Sequence, residues 1–546
     1  MSLVAMDPQP LATGLLHLPN ELLLEIFEDL SDDTLYQLAV ICRRLHFLAL
    51  PLVFKRHELN PTSGRCALYR EEMRALPALR MSLSVTSLIS IRCCFNAPTL
   101  INESYELYRL ISRLTSIKDV KLHLPVLDIR TNGIEIDLRI WSQIFLWLLD
   151  AVIQKSCSKL TVTGETGGNH EFPAVIPRSA GANPRLYQVL EGKRESFKLY
   201  NNSQMLNRPY LNRSLICTYT QSIFASERPG HSSVPSINKM SKVVDGKLLQ
   251  SSSVSNVEDS ECTNAIDPPV HSLTSFNVYS AMLLDYPFTD WTINILNTAP
   301  ITSLSLEEVD IPTETWAYIL PLLILPALSE LTIRSSTMMF VDLCHFFARH
   351  PSITTLELKV CTMPFQRSPV SQDILPKLTA LAASSQYLTC LLEDKDNFPN
   401  LVSITIASHL HRLQSFDYHL TERALTSIAQ RIQETAVTLK LTSQPEVEQW
   451  LVETVRGGPG ANVLRSLHCV TKLRISTVLS FTFSKSAVAL FPRWLALFLA
   501  LKQVAFVNFC IELEHDATIT FVRAISDACP RLKIVRIGYE DYATTA

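Results

Sequence analysis

Few residues in this chain are of a type and spacing that would support chemistry. His409 and His411 alternate, so on an extended segment both imidazoles would face one way, as in some metal pairs. No third ligand is predictable nearby, and no metal site is expected. Cys344-His345 and Cys361 read the same way, with Cys361 in the small, buried place that follows a repeat strand. Gly457-Gly458-Pro459-Gly460 lacks the Lys-Ser/Thr that a phosphate cradle requires, and reads as a breaker between a helix and the next strand. The chain has no G-x-S-x-G elbow, no G-x-x-x-x-G-K-[ST] loop and no H-E-x-x-H pair. The expectation is a protein that is not an enzyme and holds no cofactor.

Composition narrows the class. Lys plus Arg is 49 and Asp plus Glu is 52, a net charge of −3, so no long-range field gathers nucleic acid or an anionic membrane. Hydrophobic residues are 47% and charged residues 18%, enough for a substantial core. The 13 cysteines are odd in number, form no C-x-x-C, and include the neighbours Cys93 and Cys94, which points to reduced thiols. The N-terminus has no basic region before its apolar stretch, so no signal peptide is expected. The sequons at Asn102, Asn201 and Asn212 then carry no meaning. The longest apolar runs, Thr315 to Ser329 and Trp494 to Leu501, fall short of the ~20 residues that span a bilayer. A soluble protein of the cytoplasm, nucleus or both is expected, with no nucleic-acid or membrane partner.

The elements that position whatever this chain binds fall into two sets. From Leu15 to Leu59 the sequence reads as three short helices. Leu18-Pro19-Asn20-Glu21 opens the first, with Leu22, Leu23, Ile26, Phe27 and Leu30 as one apolar stripe. Ser31-Asp32-Asp33-Thr34 offers capping residues before Leu35, Leu38, Ala39, Ile41 and Cys42 on a second helix. Leu45, Leu48 and Ala49 lie on a third, which Pro51 closes. Three helices this short bury too little surface to stand comfortably alone, so leftover apolar surface favours docking on a partner or on the rest of the chain.

These residues resemble the F-box, the motif that attaches substrate receptors to Skp–cullin–F-box ubiquitin ligases. The match runs without gaps from Leu18 to Phe54 through Leu22, Ile26, Phe27, Leu30, Leu35, Leu38 and Ile41-Cys42-Arg43-Arg44-Leu45 to Ala49-Leu50-Pro51-Leu52-Val53-Phe54. Leu-Pro-Leu near the end is similar to F-boxes common in fungal proteins, and Leu45 stands where many members carry Trp. The resemblance implies that Leu18, Pro19, Leu22, Ile26, Leu30 and Ile41 contribute to the surface facing a Skp-type adaptor and, through it, a cullin. The alternative is an ordinary three-helix cap on the following domain.

After a helical connector over residues 60–113, an apolar-x-x-apolar-x-apolar pattern keeps returning. It appears as Ile117/Val120/Leu122, Cys157/Leu160/Val162, Leu273/Phe276/Val278, Ile301/Leu304/Leu306, Leu328/Leu331/Ile333 and Ile353/Leu356/Leu358. It continues as Leu378/Leu381/Ala383, Leu401/Ile404/Ile406, Ala436/Leu439/Leu441, Val470/Leu473/Ile475, Leu501/Val504/Phe506 and Leu532/Val535/Ile537. From Val278 to Ile537 the last positions are 28, 27, 25, 25, 23, 35, 34, 31 and 31 apart, a spacing that suits one strand and one helix per unit. Pro326, Pro351, Pro376, Pro399 and Pro530 each stand two residues before a unit's first apolar position, ending a helix and starting a strand. Helices are expected over Trp316–Leu325, Phe340–Arg349, Glu422–Glu434, Glu446–Arg456 and Thr518–Ala528.

This organisation resembles a leucine-rich-repeat solenoid of irregular form. The fold class is α/β: a three-helix F-box, then a leucine-rich-repeat-like solenoid with a curved parallel sheet over 114–163 and 271–541. A conventional α/β domain with a flat sheet is the alternative. Residues 1–14 are read as a flexible start and 542–546 as a tail. The stretch 164–270 is different: it holds 7 of the 14 glycines and 15 serines with no sustained apolar period, and reads as a disordered insertion. Short ordered pieces are expected at Tyr187 to Leu190 and Tyr210 to Tyr219, and a weak phosphorylation signal at Ser251 to Ser260.

A solenoid presents the outward residues of its strands as one surface. These are Glu307, Glu330, Arg334, Glu357 and Lys359 early and Lys440, Lys472, Arg474, Gln503 and Arg536 late. Glu307, Glu330, Glu357, Lys440, Lys472, Arg474 and Arg536 are the candidate contacts to a protein target, with the basic end meeting an acidic or phosphorylated segment. The function this implies is a substrate receptor of a Skp–cullin–F-box ligase. The rival readings are a scaffold that binds the adaptor outside any ligase, and an enzyme on an α/β fold.

Overall fold

Helical apolar spacing at the N-terminus folds into α1 (Asn20–Glu28), α2 (Asp32–Ile41) and α3 (Arg43–Arg56). The computed structural model describes residues 15–125, 137–164, 271–361, 374–394, 396–407, 417–431, 433–441, 444–477, 483–507 and 515–543. Ser31 caps α2 by accepting from the Thr34 N–H. Leu23 and Phe27, Leu35 and Ala39, and Leu45, Ala49 and Val53 form the buried centre of the trio. Pro51 falls inside α3 instead of closing it. Proline removes only its own N–H bond to the preceding turn, and buried Leu52, Val53 and Phe54 carry the helix past it.

The period-2 pattern becomes one open sheet of 15 strands laid in chain order. They are β1 (Arg65–Leu68), β2 (Ser87–Cys94), β3 (Ser116–Leu124), β4 (Lys159–Gly164), β5 (Ser275–Tyr279), β6 (Ser303–Glu307), β7 (Glu330–Ser336) and β8 (Thr355–Cys361). Then follow β9 (Ala380–Ser384), β10 (Ser403–Ala407), β11 (Thr435–Leu441), β12 (Val470–Thr477), β13 (Gln503–Val507), β14 (Ile534–Ile537) and β15 (Glu540–Ala543). Every neighbouring pair is parallel except β14 and β15, which are antiparallel.

Two apolar rows run across the sheet in register. One passes from Cys66 through Ile91, Val120, Leu160, Phe276 and Leu304 to Val535; the other, two residues on, from Leu68 through Cys93, Leu122, Val162, Val278 and Leu306 to Ile537. Three expectations are corrected by these rows. The stretch 60–113 is not a helical connector, because β1 and β2 lie within it and Leu88/Ile91/Cys93 carries the repeat pattern. In β11 the row residues are Val437 and Leu439, not Leu439 and Leu441. Three apolar residues alternate there, so the pattern alone could not choose, and pairing with Ile404 and Ile406 of β10 decides it. Residues 542 and 543 belong to β15, not to a tail. Gly164 ends β4, and β4 pairs directly with β5, so the repeats continue across the long intervening segment, which lies outside the described residues.

Parallel strands laid in chain order through crossovers of one hand put their connecting helices on one face. Those helices are α4 (Leu76–Met81), α5 (Leu100–Arg113), α6 (Leu138–Gln154), α7 (Thr289–Thr298), α8 (Thr313–Leu322) and α9 (Phe340–Arg349). The later ones are α10 (Ser385–Leu391), α11 (Tyr418–Ala429), α12 (Gln444–Val455), α13 (Pro459–Ser466), α14 (Lys485–Leu495) and α15 (His515–Ala528). The core lies between them and the two rows, filled by Trp141, Trp316, Trp450 and Trp494 among others. Gly457, with φ +89°, closes α12, and Pro459 opens α13. The glycine cluster therefore breaks one helix from another, not a helix from a strand. A Cβ at Gly460 would meet the Glu422 carboxylate, so a larger residue there would push aside the oxygen that accepts from Trp450 Nε1.

Each unit begins with a turn. Leu328, Ile353, Leu378, Leu401 and Leu532 donate their N–H to the carbonyl three residues back, placing Pro326, Pro351, Pro376, Pro399 and Pro530 second in a four-residue turn. Proline is suited to that position because its φ is preset. Directly after the turn a hydroxyl ladder links the units. Ser158, Thr274, Thr302, Ser329, Thr354 and Thr379 each donate to a backbone carbonyl of the preceding unit, at 3.0 to 3.2 Å.

One buried acid works against the fold. The Asp285 carboxyl, just before α7, is pushed up to about 6 by burial. For a raised carboxyl, the favourable contribution is complete below its ordinary value of 3.8 and is lost as pH rises through about 6. Asp285→Asn should therefore stabilise the protein at pH 7.5 by about 1 kcal/mol, after discounting for partial exposure. Melting curves of the two proteins should converge near pH 4.

Candidate functional site

The helical head presents an apolar seam. α1 divides its apolar residues between two faces: Leu23 and Phe27 point into the core, while Leu22 and Ile26 are 46% and 43% exposed. At the end of α2, Val40 and Ile41 are 69% and 63% exposed. Four exposed large apolar residues on a domain this small mark a contact surface. Of the residues expected on it, Pro19, Leu22, Ile26 and Ile41 are exposed, whereas Leu18 and Leu30 are half-buried against the core. Val40 was missed, although its adjacency to Ile41 was a usable signal. Leu45 is buried in the trio's own core, so the absence of Trp there does not alter the exposed face.

Two arginines set the geometry of this seam, and sequence reasoning assigned neither a role. Arg44 donates to the Leu16 and Leu18 carbonyls at 2.5 Å each and to Asn20 Oδ1 at 2.9 Å, fixing the entry to α1. Arg56 donates to the carbonyls of Phe27, Glu28 and Leu30 at 3.1, 2.7 and 2.6 Å, satisfying the C-terminal end of α1, and to Asp32 Oδ1 at 3.0 Å. His57 Nε2 lies 2.8 Å from Asp32 Oδ2. Burial alone would raise the Asp32 carboxyl, but the hydrogen bonds from His57 and Arg56 outweigh it and hold Asp32 below its ordinary value. Arg56→Ala should cost about 2 kcal/mol locally. Limited proteolysis should then cut within residues 15–59 roughly 10- to 30-fold faster at that cost.

The head is tied to the first repeats. The Tyr36 hydroxyl donates to the Arg74 carbonyl at 2.8 Å, and buried His46 contacts the Ala39 carbonyl through Nδ1 at 3.0 Å. The same ring accepts the Leu83 N–H at Nε2, 3.2 Å away. Leu22, Ile26 and Ile41 remain exposed with these bonds in place, so the head is anchored while the seam stays open.

The second candidate surface is the face of the sheet opposite the helices. Alternation places Glu307, Glu330, Glu357, Lys440, Lys472, Arg474 and Arg536 all on it. They do not form one cluster. Arg334 bridges Glu307 Oε2 and Glu357 Oε1, each at 2.8 Å, and Lys359 contacts the same Glu357 oxygen. Ser305 and the Tyr279 hydroxyl donate to Glu307 Oε1 at 2.7 and 3.0 Å. Burial opposes ionisation of Glu357, yet Lys359 and Arg334 outweigh it and hold its carboxyl below the ordinary value. Glu330 is exposed and lies outside this network. At the far end Arg536 makes a two-point pair with Asp541 on β15 at 2.5 and 2.7 Å, while Lys472 and Arg474 are exposed. Arg92, on a strand that sequence reading assigned to a connector, and Lys121 on β3 add positive charge at the start. The acidic residues thus lie mid-sheet between two basic ends, instead of acidic early and basic late.

His409 and His411 lie outside the described residues. Among the described residues, no group of three or more His, Cys, Asp or Glu is placed to hold a metal ion. No described helix is long and apolar enough to cross a membrane, and none of the nine cysteines whose side chains are described is in a disulfide.

An anchored helical head with an open apolar seam, joined to a long repeat sheet, defines a two-part architecture. The head is of a known kind: residues 15–59 match the family model described as F-box-like. No curated protein matches the chain. F-box domains generally bind Skp-type adaptors.

Proposed function

We propose that this protein is a substrate receptor of a Skp–cullin–F-box ubiquitin ligase, in which the head docks a Skp-type adaptor and the sheet face holds a target protein. The observation that carries this reading is the exposed seam of Leu22, Ile26, Val40 and Ile41 on a domain that matches the F-box-like model. The repeat body is read as an irregular leucine-rich-repeat solenoid of the kind found beside fungal-type F-boxes. Its contribution is proximity: the bonds from Tyr36 and His46 fix head to body, so a bound target would be held at a set distance from a conjugating enzyme on the cullin. In this reading the chain is not itself catalytic, needs no cofactor, and works in the cytoplasm, the nucleus or both.

Co-expression with a Skp-type adaptor and a cullin tests it. The expected result is a stable three-chain complex on gel filtration. Adaptor without cullin would favour a scaffold outside any ligase, and no adaptor would overturn the reading.

A further inference from the structure

Two histidines of this protein are held by the same pair of bonds, one inside the repeat body and one between body and head. His46 of α3 is 7% exposed. Its Nδ1 lies 3.0 Å from the Ala39 carbonyl of α2, and its Nε2 lies 3.2 Å from the N–H of Leu83, between α4 and β2. A carbonyl only accepts and a backbone N–H only donates. Nδ1 must therefore carry the proton and Nε2 the lone pair, which fixes one tautomer of the neutral ring. A proton added at Nε2 turns the acceptor into a donor. The Leu83 N–H then faces a second N–H, and a polar tie between head and body is lost.

Histidine is the side chain whose charge ordinarily changes between about pH 5 and 8, and this ring has a route to solvent. It borders a half-open cavity of about 260 Å³ whose wall includes Lys55, Asn60, Ser82 and Ser84. Lys55 is the other ionisable group on that wall; no carboxylate lines it, and none pairs with His46 among the described residues. α2 meets the ring with the Ala39 carbonyl and residues 82–84 with a backbone N–H, while Phe47 packs edge-on against it, ring centroids 5.4 Å apart. A protonated ring thus finds no counter-charge to hold it in place. His350 of α9 is the enclosed counterpart. Its Nδ1 lies 2.7 Å from the Phe346 carbonyl and its Nε2 accepts the Leu325 N–H at 3.1 Å. It is 2% exposed and stacked on Phe346, and burial, with Arg349 beside it, holds its affinity for a proton below the ordinary value.

We infer that His46 is a proton-operated latch between head and body: neutral, it holds residues 82–84 against α3, and protonated, it releases them. The inference goes beyond the ligase reading and requires no partner. With the latch open, the head stays attached through its apolar core and the Tyr36 bond to the Arg74 carbonyl, so the effect is local loosening and not detachment. For any partner held by the head, the latch makes the fixity of head against body depend on pH.

Hydrogen exchange of the full chain, read by peptide mass spectrometry at pH 7.5 and 5.5 and corrected for the intrinsic rate at each pH, tests it. Protection of the Leu83 amide is expected to fall roughly 10-fold or more at pH 5.5, while that of the Leu325 amide, held by His350, is kept. His46→Gln supplies the second readout. A glutamine amide donates and accepts but takes up no proton in this range, so protection at Leu83 should be equal at the two pH values. Constant protection of Leu83 in the parent overturns the latch. An equal fall at Leu83 and Leu325 marks general loosening and overturns it too, as does an equal fall at Leu83 in parent and His46→Gln. If the variant does not fold, the parent's own comparison of Leu83 with Leu325 decides. Adaptor recovery does not enter this readout, so the latch stands or falls apart from the ligase reading.

Discussion

Replacing Leu22 and Ile26 together by aspartate will abolish recovery of a Skp-type adaptor while leaving the fold intact. Both side chains stand about half exposed on α1, so neither contributes much to the chain's own core. Covered by a partner, each would supply about 1.5–3 kcal/mol of apolar burial, and a carboxylate in its place must instead be desolvated. The combined loss is expected to exceed about 4 kcal/mol, roughly a thousandfold in affinity. The unfolding midpoint should move by no more than about 2 °C, in the range of ordinary surface substitutions. Leu23→Asp is the contrasting control: that residue is fully buried, and its replacement should unfold the head. Undiminished adaptor recovery by Leu22→Asp/Ile26→Asp would show that α1 is not the docking face.

The second large effect is expected at Arg334. Its guanidinium is shared by Glu307, which is 9% exposed, and by Glu357, so Arg334→Ala strands two carboxylates that were desolvated in its presence. Breaking one partner out of a buried charge group costs about 3–5 kcal/mol, and part of the arginine remains in water, so about 2–4 kcal/mol is expected here. The sign with pH follows from the depressed Glu357 carboxyl. The network's contribution is complete above the ordinary carboxylate value of 4.5 and is lost as pH falls through the lower folded value. Urea titrations should therefore show a gap between parent and variant at pH 7 that narrows below pH 4. Adding Glu307→Gln and Glu357→Gln to Arg334→Ala should recover much of the loss, because neutral amides leave no unpaired charge.

Much of the architecture was legible because it rests on short-range regularities. Outside β11, the apolar pairs two residues apart in the recurring pattern are the positions that stack into two rows, and Pro326, Pro351, Pro376, Pro399 and Pro530 mark the turn that starts their units. The hydroxyl ladder was equally visible, as a Ser or Thr directly after the first apolar position in Thr274, Thr302, Ser329, Thr354 and Thr379, yet its meaning was missed. That residue follows an apolar partner and so looks like an ordinary surface position until the preceding unit's carbonyl is seen beside it. The units at β1 and β2 were passed over because Arg65 to Leu68 is short and Ile91/Cys93 carries cysteine where leucine is usual. On the head, the apolar stripe of α1 was correct as a stripe. Periodicity reports which residues are apolar, not which of two adjacent faces, Leu22 and Ile26 or Leu23 and Phe27, is covered by α3.

By itself, then, the sequence determined the order of strands and helices, the phase of their apolar faces and the kind of domain at the N-terminus, because each depends on neighbours within a few residues. Only the tertiary structure decided what the outward charges do. Arg334 finds Glu307 and Glu357 on adjacent strands, Lys359 shares Glu357 with it, and Arg536 is paired with Asp541 on β15. The Arg334 pairings depend on lateral stacking of units a full repeat apart in the chain, and the Arg536 pairing on the antiparallel return of β15, neither of which a local pattern reports.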